Sequence, residues 1–246
     1  MPPYDNATYG DRIASVYDEF IQISLEQTQT AVETLAALAK AGPVLELGIG
    51  TGRIVLPLRE KGLVVHGIDA SAPMIDELRK KAGGSAIPVT IGDFAEVAVE
   101  EKFSLIYVVF NTFFSLLTQE DQVRCFANVA KHLLPDGVFV IEAFVPDPPR
   151  VTGNQNVVAS KVEVDEVRLD VTRYDPLQQL LKAQHVVIAN GTIHTYPIQL
   201  RYAWPSELDL MARLAGLKLK ERWSNWQRSP FTSGATSHIS IYHADA

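Results

Sequence analysis

The chain contains a single cysteine, Cys125, in 246 residues. An internal disulfide is excluded, and no Cys/His group at metal-ligand spacing accompanies it, so no metal is expected. Cys125 sits in a helical pattern and reads as a small buried apolar residue. Basic charge is scarce too, with 22 Lys and Arg against 29 Asp and Glu and a formal charge of -7. That balance gives no general pull toward nucleic acid or an anionic membrane, and the run Arg79-Lys80-Lys81 reads as a solvated helix face. Apolar stretches such as Leu105 to Phe110 fall far short of a membrane span. The start, Met1-Pro2-Pro3-Tyr4, lacks the basic-then-apolar order of a secretory signal. A soluble, cytoplasmic protein with no nucleic-acid or membrane partner is the expectation. No repeat, low-complexity tract or long polar linker divides the sequence, and its 47% hydrophobic content suits one sizeable core.

What is present is an alternation of two periodicities. From about Ile13 to Lys40, Val32, Leu35, Ala36 and Ala39 recur at helical spacing, with Gly42-Pro43 as the stop. Short apolar runs then predict buried strands at Val44 to Leu47, Leu63 to Ile68, Ile87 to Ile91, Leu105 to Phe110 and Val138 to Val145. Helices are predicted between them near 52–61, 72–82 and 119–134. Repeated strand–helix units of this kind imply an α/β fold, Rossmann-like and doubly wound around a mainly parallel seven-stranded sheet.

Beyond Pro146, Pro148 and Pro149 the pattern becomes alternating over Val157 to Leu169, Val171 to Tyr174, Leu180 to Ala189 and Thr192 to Tyr202. Asp175-Pro176 and Asn190-Gly191 supply turn signals, the latter a strong hairpin mark. An inserted antiparallel β segment is expected. A helix capped by Ser206 and closed by Gly216, then strands near 217–227 and 236–243, complete the chain. The expected organisation is one domain over 1–246: an N-terminal helical lid at about 1–40, a core at about 41–148, the insertion at about 155–202 and a C-terminal part at about 203–246.

The densest signal is Val44-Leu45-Glu46-Leu47-Gly48-Ile49-Gly50-Thr51-Gly52, a buried strand running into three alternate glycines and then a helix. Backbone can approach a ligand closely there. A dinucleotide fingerprint would need glycine where Arg53 stands, which argues against a nicotinamide cofactor. The second strand ends on Asp69, placing a carboxylate at the sheet's carboxyl edge, where it can accept both hydroxyls of a ribose. Asp69 could equally cap the next helix, Met74 could be core, and the glycines could serve only a tight turn. In this order and spacing, the functional reading is preferred.

The pattern E-x-G-x-G-x-G resembles the first motif of class I S-adenosylmethionine-dependent methyltransferases, and further motifs follow in order over roughly residues 10 to 145. The resemblance implies S-adenosylmethionine as cofactor, held by Glu46, Gly48, Gly50, Gly52 and Asp69. It also implies contacts from Met74 in Asp69-Ala70-Ser71-Ala72-Pro73-Met74, from Asp93 and Phe94 after Gly92, and from Phe110 and Asn111 at the end of the fourth strand. Tyr9 and Tyr17 lie in a segment similar to the region that lids the cofactor in many relatives; they could also form a plain amphipathic helix.

Methyl transfer from a sulfonium is an in-line displacement, so the protein mainly aligns the nucleophile and excludes water. The overall layout resembles, loosely, N-methyltransferases of nucleotide-linked amino sugars in actinobacterial antibiotic pathways and glycine-type N-methyltransferases. Methylation of nitrogen in a small molecule is therefore favoured over oxygen, with Tyr17 and Ser115 as candidate catalytic residues. Ser115 stands where the amino-sugar enzymes place a histidine. Glu142, Arg201 and Tyr202 are candidates for the acceptor pocket, Arg201 with the alternative of pairing a structural carboxylate. His185 and His194, in alternating strands, read as surface or packing residues. Trp223 and Trp226, three apart, should face opposite ways in a regular strand. A non-catalytic regulatory or assembly subunit on the same sheet is the competing reading. The exposed edges of the inserted strands could be covered by pairing across a two-fold axis, so a homodimer is expected.

Overall fold

A computed structural model describes residues 4–21, 24–96, 99–147 and 153–244. Met1-Pro2-Pro3 and the Pro148-Pro149 signal lie outside the described residues. The order along the chain is α1 (Thr8–Ile13), a 3-10 turn (Ala14–Val16), α2 (Tyr17–Phe20), α3 (Leu25–Ala39), β1 (Val44–Leu47), α4 (Val55–Glu60), β2 (Val65–Asp69), α5 (Ala72–Lys80), β3 (Val89–Ile91), β4 (Phe103–Val108), α6 (Gln119–His132) and β5 (Leu133–Phe144). The inserted strands β6 (Gln155–Val162), β7 (Glu166–Asp175), β8 (Leu180–Ala189) and β9 (Thr192–Arg201) follow, then α7 (Pro205–Leu214), β10 (Leu217–Trp223) and β11 (Ser237–Ala244).

Seven strands form one sheet in the order β10-β11-β5-β4-β1-β2-β3, and four form a second in the order β6-β7-β8-β9. Pairings from β3 through β5 are parallel, while β11 runs antiparallel to both β5 and β10. The mainly parallel, doubly wound sheet expected from the strand–helix alternation is the one observed. Strand order reverses between β1 and β4, the switch point where such sheets open a crevice beyond their carboxyl ends.

Alternation along the strands sorts the core into two layers. Leu45, Leu47, Ile106, Val108, Phe139 and Ile141 pack on the face that carries α6 and α7. Val44, Leu105, Tyr107, Val138 and Val140 pack on the face covered by α3 and α4. Cys125 is fully buried in the first layer, as expected.

Four local readings are corrected. The helix expected over Ile13 to Lys40 is interrupted: the chain turns extended at Ile21, Ser24 caps a new helix by accepting from the Gln27 N–H, and α3 alone carries the apolar stripe. The alternation over Val157 to Leu169 is cut by a turn at 163–165, so Val171 to Tyr174 belongs to β7. β5 begins at Leu133, so Leu134-Pro135-Asp136-Gly137 is irregular strand, with a register shift opposite Phe103 and Leu105. The residue capping α7 is Trp204, with Pro205 in the first turn; Ser206 lies inside the helix.

The tryptophans also differ from the alternation argument. β10 stops at Trp223, so the three-residue offset to Trp226 crosses a strand end, and both rings pack into one core layer.

Candidate active site

β1 and β2 end side by side, in register from Val44↔Val65 to Leu47↔Ile68. That pairing sets the glycine loop against Asp69. Asp69 Oδ2 accepts from the Gly50 N–H at 2.7 Å and Oδ1 from the Ser71 N–H at 2.9 Å. Each oxygen keeps further acceptor capacity toward the cleft. Burial raises the Asp69 pKa, an effect opposed by the N–H groups of Ser71, Gly50 and Ala70. Gly50 has φ +54°, and a Cβ there would meet nothing within 4 Å, so its open side faces free space. Gly48 differs: at φ +73° its Cβ would stand 2.4 Å from Thr112 Cγ2, which makes the loop's approach to the β4 turn possible only for glycine.

Above this edge lies a cavity of about 430 Å³. Its lower wall includes Gly48, Gly50, Asp69, Met74, Asp93, Phe94, Phe110 and Asn111; the lid contributes Tyr9 and Tyr17, and Ser115 stands nearby. The far wall is the inner face of the four-stranded sheet, including Asp170, Thr172, Ala183 and His185. The insertion therefore roofs the cleft as well as extending the fold.

The lid is tied down at several points. Ser71 donates to Asp11 at 2.7 Å, Asn6 donates to Asp93 Oδ2 at 2.8 Å, and the Gln199 N–H donates to the Tyr4 hydroxyl at 3.0 Å. Asp18 accepts from the Thr51 hydroxyl at 2.6 Å and pairs with Lys81 at 2.5 Å. Burial raises the Tyr9 pKa and pushes Tyr17 up to about 12, so both stay phenols near neutrality. Met74 is both things the sequence allowed, packing with Ile13 and Ala14 while lining the cavity.

Five predicted site residues are not brought to the cavity. Glu46 is buried one layer below, where its Oε2 accepts from the Tyr107 hydroxyl at 2.7 Å. Burial, outweighing that hydrogen bond, pushes its pKa up to about 8. Gly52 has φ +87° and its Cβ would stand 2.4 Å from Leu78 Cδ1, so it serves helix packing. Arg201 is buried against Gln122, Gln179 and Glu207, the structural alternative weighed above. Tyr202 opens onto a separate small cavity of about 220 Å³ with Phe144 and Tyr174.

Glu142 acts from behind the wall. Its carboxylate accepts from the Phe110 N–H at 2.9 Å and the Trp226 indole at 2.8 Å. Phe110 and Asn111 have φ of +56° and +65°, an uncommon pair of left-handed residues without glycine. Asn111 Oδ1 accepts from the Phe144 N–H at 2.7 Å, completing the clamp.

The residue that sequence reasoning passed over is His185. It was read as surface or packing, yet it lines the cavity with Nδ1 2.5 Å from Asp170 Oδ1. The signal that could have found it is the hairpin register, which places Asp170 directly opposite His185. His194, by contrast, is exposed as read.

A reversed strand near the edge of a parallel sheet, with an acid-tipped second strand supporting a glycine loop, defines a Rossmann-like methyltransferase. Residues 44–137 match the family described as a methyltransferase domain. The CcbJ methyltransferase of Streptomyces caelestis is 40% identical, and 99% of this chain superposes on 100% of that one with a TM-score of 0.93. The cypemycin N-terminal methyltransferase of a Streptomyces species is 29% identical over 191 residues, 77% of this chain and 78% of that protein. A dTDP-3-amino-3,6-dideoxy-alpha-D-glucopyranose N,N-dimethyltransferase of Streptomyces fradiae is 28% identical over 141 residues, 55% of this chain and 54% of that protein. The chain belongs to the S-adenosylmethionine-dependent methyltransferases. It is an enzyme whose cofactor is S-adenosylmethionine, and the non-catalytic alternative is not favoured. Among the described residues no helix is long and apolar enough to cross a membrane, and no cluster of metal-ligating side chains is found.

Proposed function

We propose that this enzyme methylates the nitrogen of a small-molecule amine in the cavity between the glycine loop and the four-stranded sheet. The observation that carries this reading is the charge of the lining: its acidic side chains are Asp69, Asp93 and Asp170, and His185 is its basic group. Carboxylates in a cleft of low dielectric favour the positive charge of an amine and of the sulfonium donor over a neutral or anionic acceptor. Two relatives are named for amine substrates, a peptide amino terminus and an amino sugar.

On this reading the cofactor lies along the lower wall. Asp69 accepts the ribose hydroxyls, Met74 and Phe94 pack the base beside Asp93, and Gly48 and Gly50 let the backbone approach. Phe110, Asn111 and Tyr9 close around the methionine end. Tyr17 and Ser115 orient the acceptor by hydrogen bonds, Tyr17 as a donor because its hydroxyl holds its proton. Glu46 and Gly52 support the loop from below, and Glu142 supports Phe110. The enzyme works in the cytoplasm, where its cofactor is made.

The partner expected from the exposed strands is a second copy. The outer face of the four-stranded sheet carries Val157, Val171, Ile188 and Ile193 in cross-strand rows, all exposed. An apolar sheet face of this kind is covered well by its own two-fold mate.

Labelled S-adenosylmethionine offered with dTDP-3-amino-3,6-dideoxyglucose, an alanyl peptide and diethylamine, beside alcohols of matched size, tests the reaction. Label entering amines alone is the expected result. Label entering only the alcohols would overturn the nitrogen reading.

A further inference from the structure

His185 and Asp170 form a pair built by strand register and aimed into the cleft. They are direct partners across the β7–β8 ladder, so both side chains project from the inner face of the sheet. A carboxylate only accepts, so the 2.5 Å contact from Asp170 Oδ1 places the imidazole hydrogen on Nδ1. Nε2 is then the nitrogen with the free lone pair, and among the described residues it has no hydrogen-bond partner. Apolar and aromatic groups hold the ring: Phe20 at a centroid distance of 5.4 Å and Tyr9 at 6.3 Å.

The titratable and charged groups around the imidazole come from every neighbouring element. Asp170 comes from β7, Tyr9 from α1 and Tyr196 from β9, opposite His185 in register. Tyr17 of α2 lines the same cavity. Arg168 is held beyond Phe20, stacked over that ring at 4.8 Å and bonded to its carbonyl. The Tyr9 and Tyr17 hydroxyls retain their protons, and Asp170 is engaged with Nδ1. An imidazole is the side chain that exchanges a proton near neutrality, and orientation by a carboxylate is the arrangement that makes it a directed base.

We propose that His185, oriented by Asp170, is the general base that prepares the acceptor amine, an inference that rests on the nitrogen reading above. An alkylamine enters as an ammonium with no lone pair to offer. His185 Nε2 takes one N–H proton and becomes imidazolium, stabilised by the Asp170 carboxylate. The freed lone pair forms the N–CH3 bond as the C–S bond breaks, and the electron pair of that bond stays on sulfur in S-adenosylhomocysteine. The product leaves as the methylated ammonium, and the imidazolium returns its proton to solvent. Asp170 is a positioning residue in this scheme. It fixes the tautomer and does not itself take the proton.

Two measurements on the full chain test the assignment. With the amine panel above, His185→Gln should lower kcat by about 100-fold or more with little change in KM, and Asp170→Asn should lower it less. The acid limb of the kcat–pH profile should vanish in His185→Gln. S-adenosylhomocysteine affinity by calorimetry should stay within about twofold in both variants, because the pair sits on the wall opposite the glycine loop. Wild-type kcat and an intact acid limb in His185→Gln would overturn the proposal. Label entering only the alcohols with the wild type would count against the nitrogen reading instead. Independently of any acceptor, nitrogen-15 spectra of the S-adenosylhomocysteine complex should show the neutral imidazole protonated on Nδ1, with the tautomer shifted in Asp170→Asn; a proton on Nε2 overturns the assignment.

Discussion

Glu142 and Phe110 are joined by a 2.9 Å bond from the Phe110 backbone N–H to the Glu142 carboxylate, so a β5 side chain holds a left-handed residue at the end of β4. The Trp226 indole fixes the other carboxylate oxygen at 2.8 Å. This clamp keeps the Phe110 ring in the cavity wall, with Arg53 against the ring at 5.5 Å.

Glu142→Ala should therefore remove two acceptors at once and release the strained pair. A stability loss of about 1–3 kcal/mol is expected, since a buried donor left without its acceptor costs that much and relief of the left-handed pair offsets part of it. Chemical denaturation measures that loss, and cofactor affinity by calorimetry should fall with it. An unchanged midpoint and affinity would show that Phe110 is held by other contacts.

Asp69→Ala removes both the proposed acceptor for the ribose hydroxyls and the tie to the Gly50 N–H. Loss of charge-assisted bonds worth about 1.5–3 kcal/mol predicts an affinity for S-adenosylhomocysteine at least about tenfold weaker. Calorimetric titration of the variant reads this directly.

Glu46 gives a pH signature. Burial holds its folded-state pKa near about 8, above the ordinary carboxyl value. The folded protein therefore binds more protons than the unfolded chain between the unfolded pKa and the folded one, and stability falls as pH rises through that window. Glu46→Gln mimics the protonated form and should lack this slope. Relative to wild type it should gain about 4 kcal/mol between about pH 5 and about pH 8.5, measured by denaturation at each pH. Parallel slopes for the two proteins would refute the assignment.

Arg201 tests the opposite kind of site, one that is structural only. Its guanidinium bonds Gln122, Gln179 and Glu207 at 2.6, 3.1 and 2.9 Å. Arg201→Met leaves Glu207 without its ion partner and should cost about 3–5 kcal/mol. S-adenosylhomocysteine affinity, measured below the melting transition, should be unchanged.

The proposed two-fold arrangement predicts twice the chain mass by light scattering. Val171→Glu combined with Ile188→Glu places charge on the apolar outer face and should give the monomer mass with the fold retained in circular dichroism. A wild-type monomer would remove the dimer from consideration.

Local pattern carried most of the fold. Apolar runs of four to eight residues, most of them bounded by glycine or proline, marked the five core strands near their observed places, because strands covered on both faces are mostly apolar. The glycine loop and Asp69 were legible for a related reason: close backbone approach and a carboxylate at a strand end are local requirements. The break of the lid near Ile21 was less visible, since the helical stripe downstream masked a change of direction set by the docking of α1 on α5 and the tie of α2 to Thr51 and Lys81.

By itself, then, the sequence determined the parallel sheet, the glycine loop, the acidic tip of β2 and the antiparallel character of the insertion, all consequences of side-chain periodicity and turn chemistry. Tertiary structure alone decided which polar residues face the cleft. Glu46 and Arg201 are drawn into buried networks because their partners Tyr107, Gln122 and Glu207 come from elements distant in sequence. His185 is turned toward the cavity because the inserted sheet folds back over the carboxyl edge, and the register of β7 with β8 supplies its carboxylate. Orientation relative to a cleft is a property of how layers pack, and no single strand's alternation specifies which of its two faces that packing will choose.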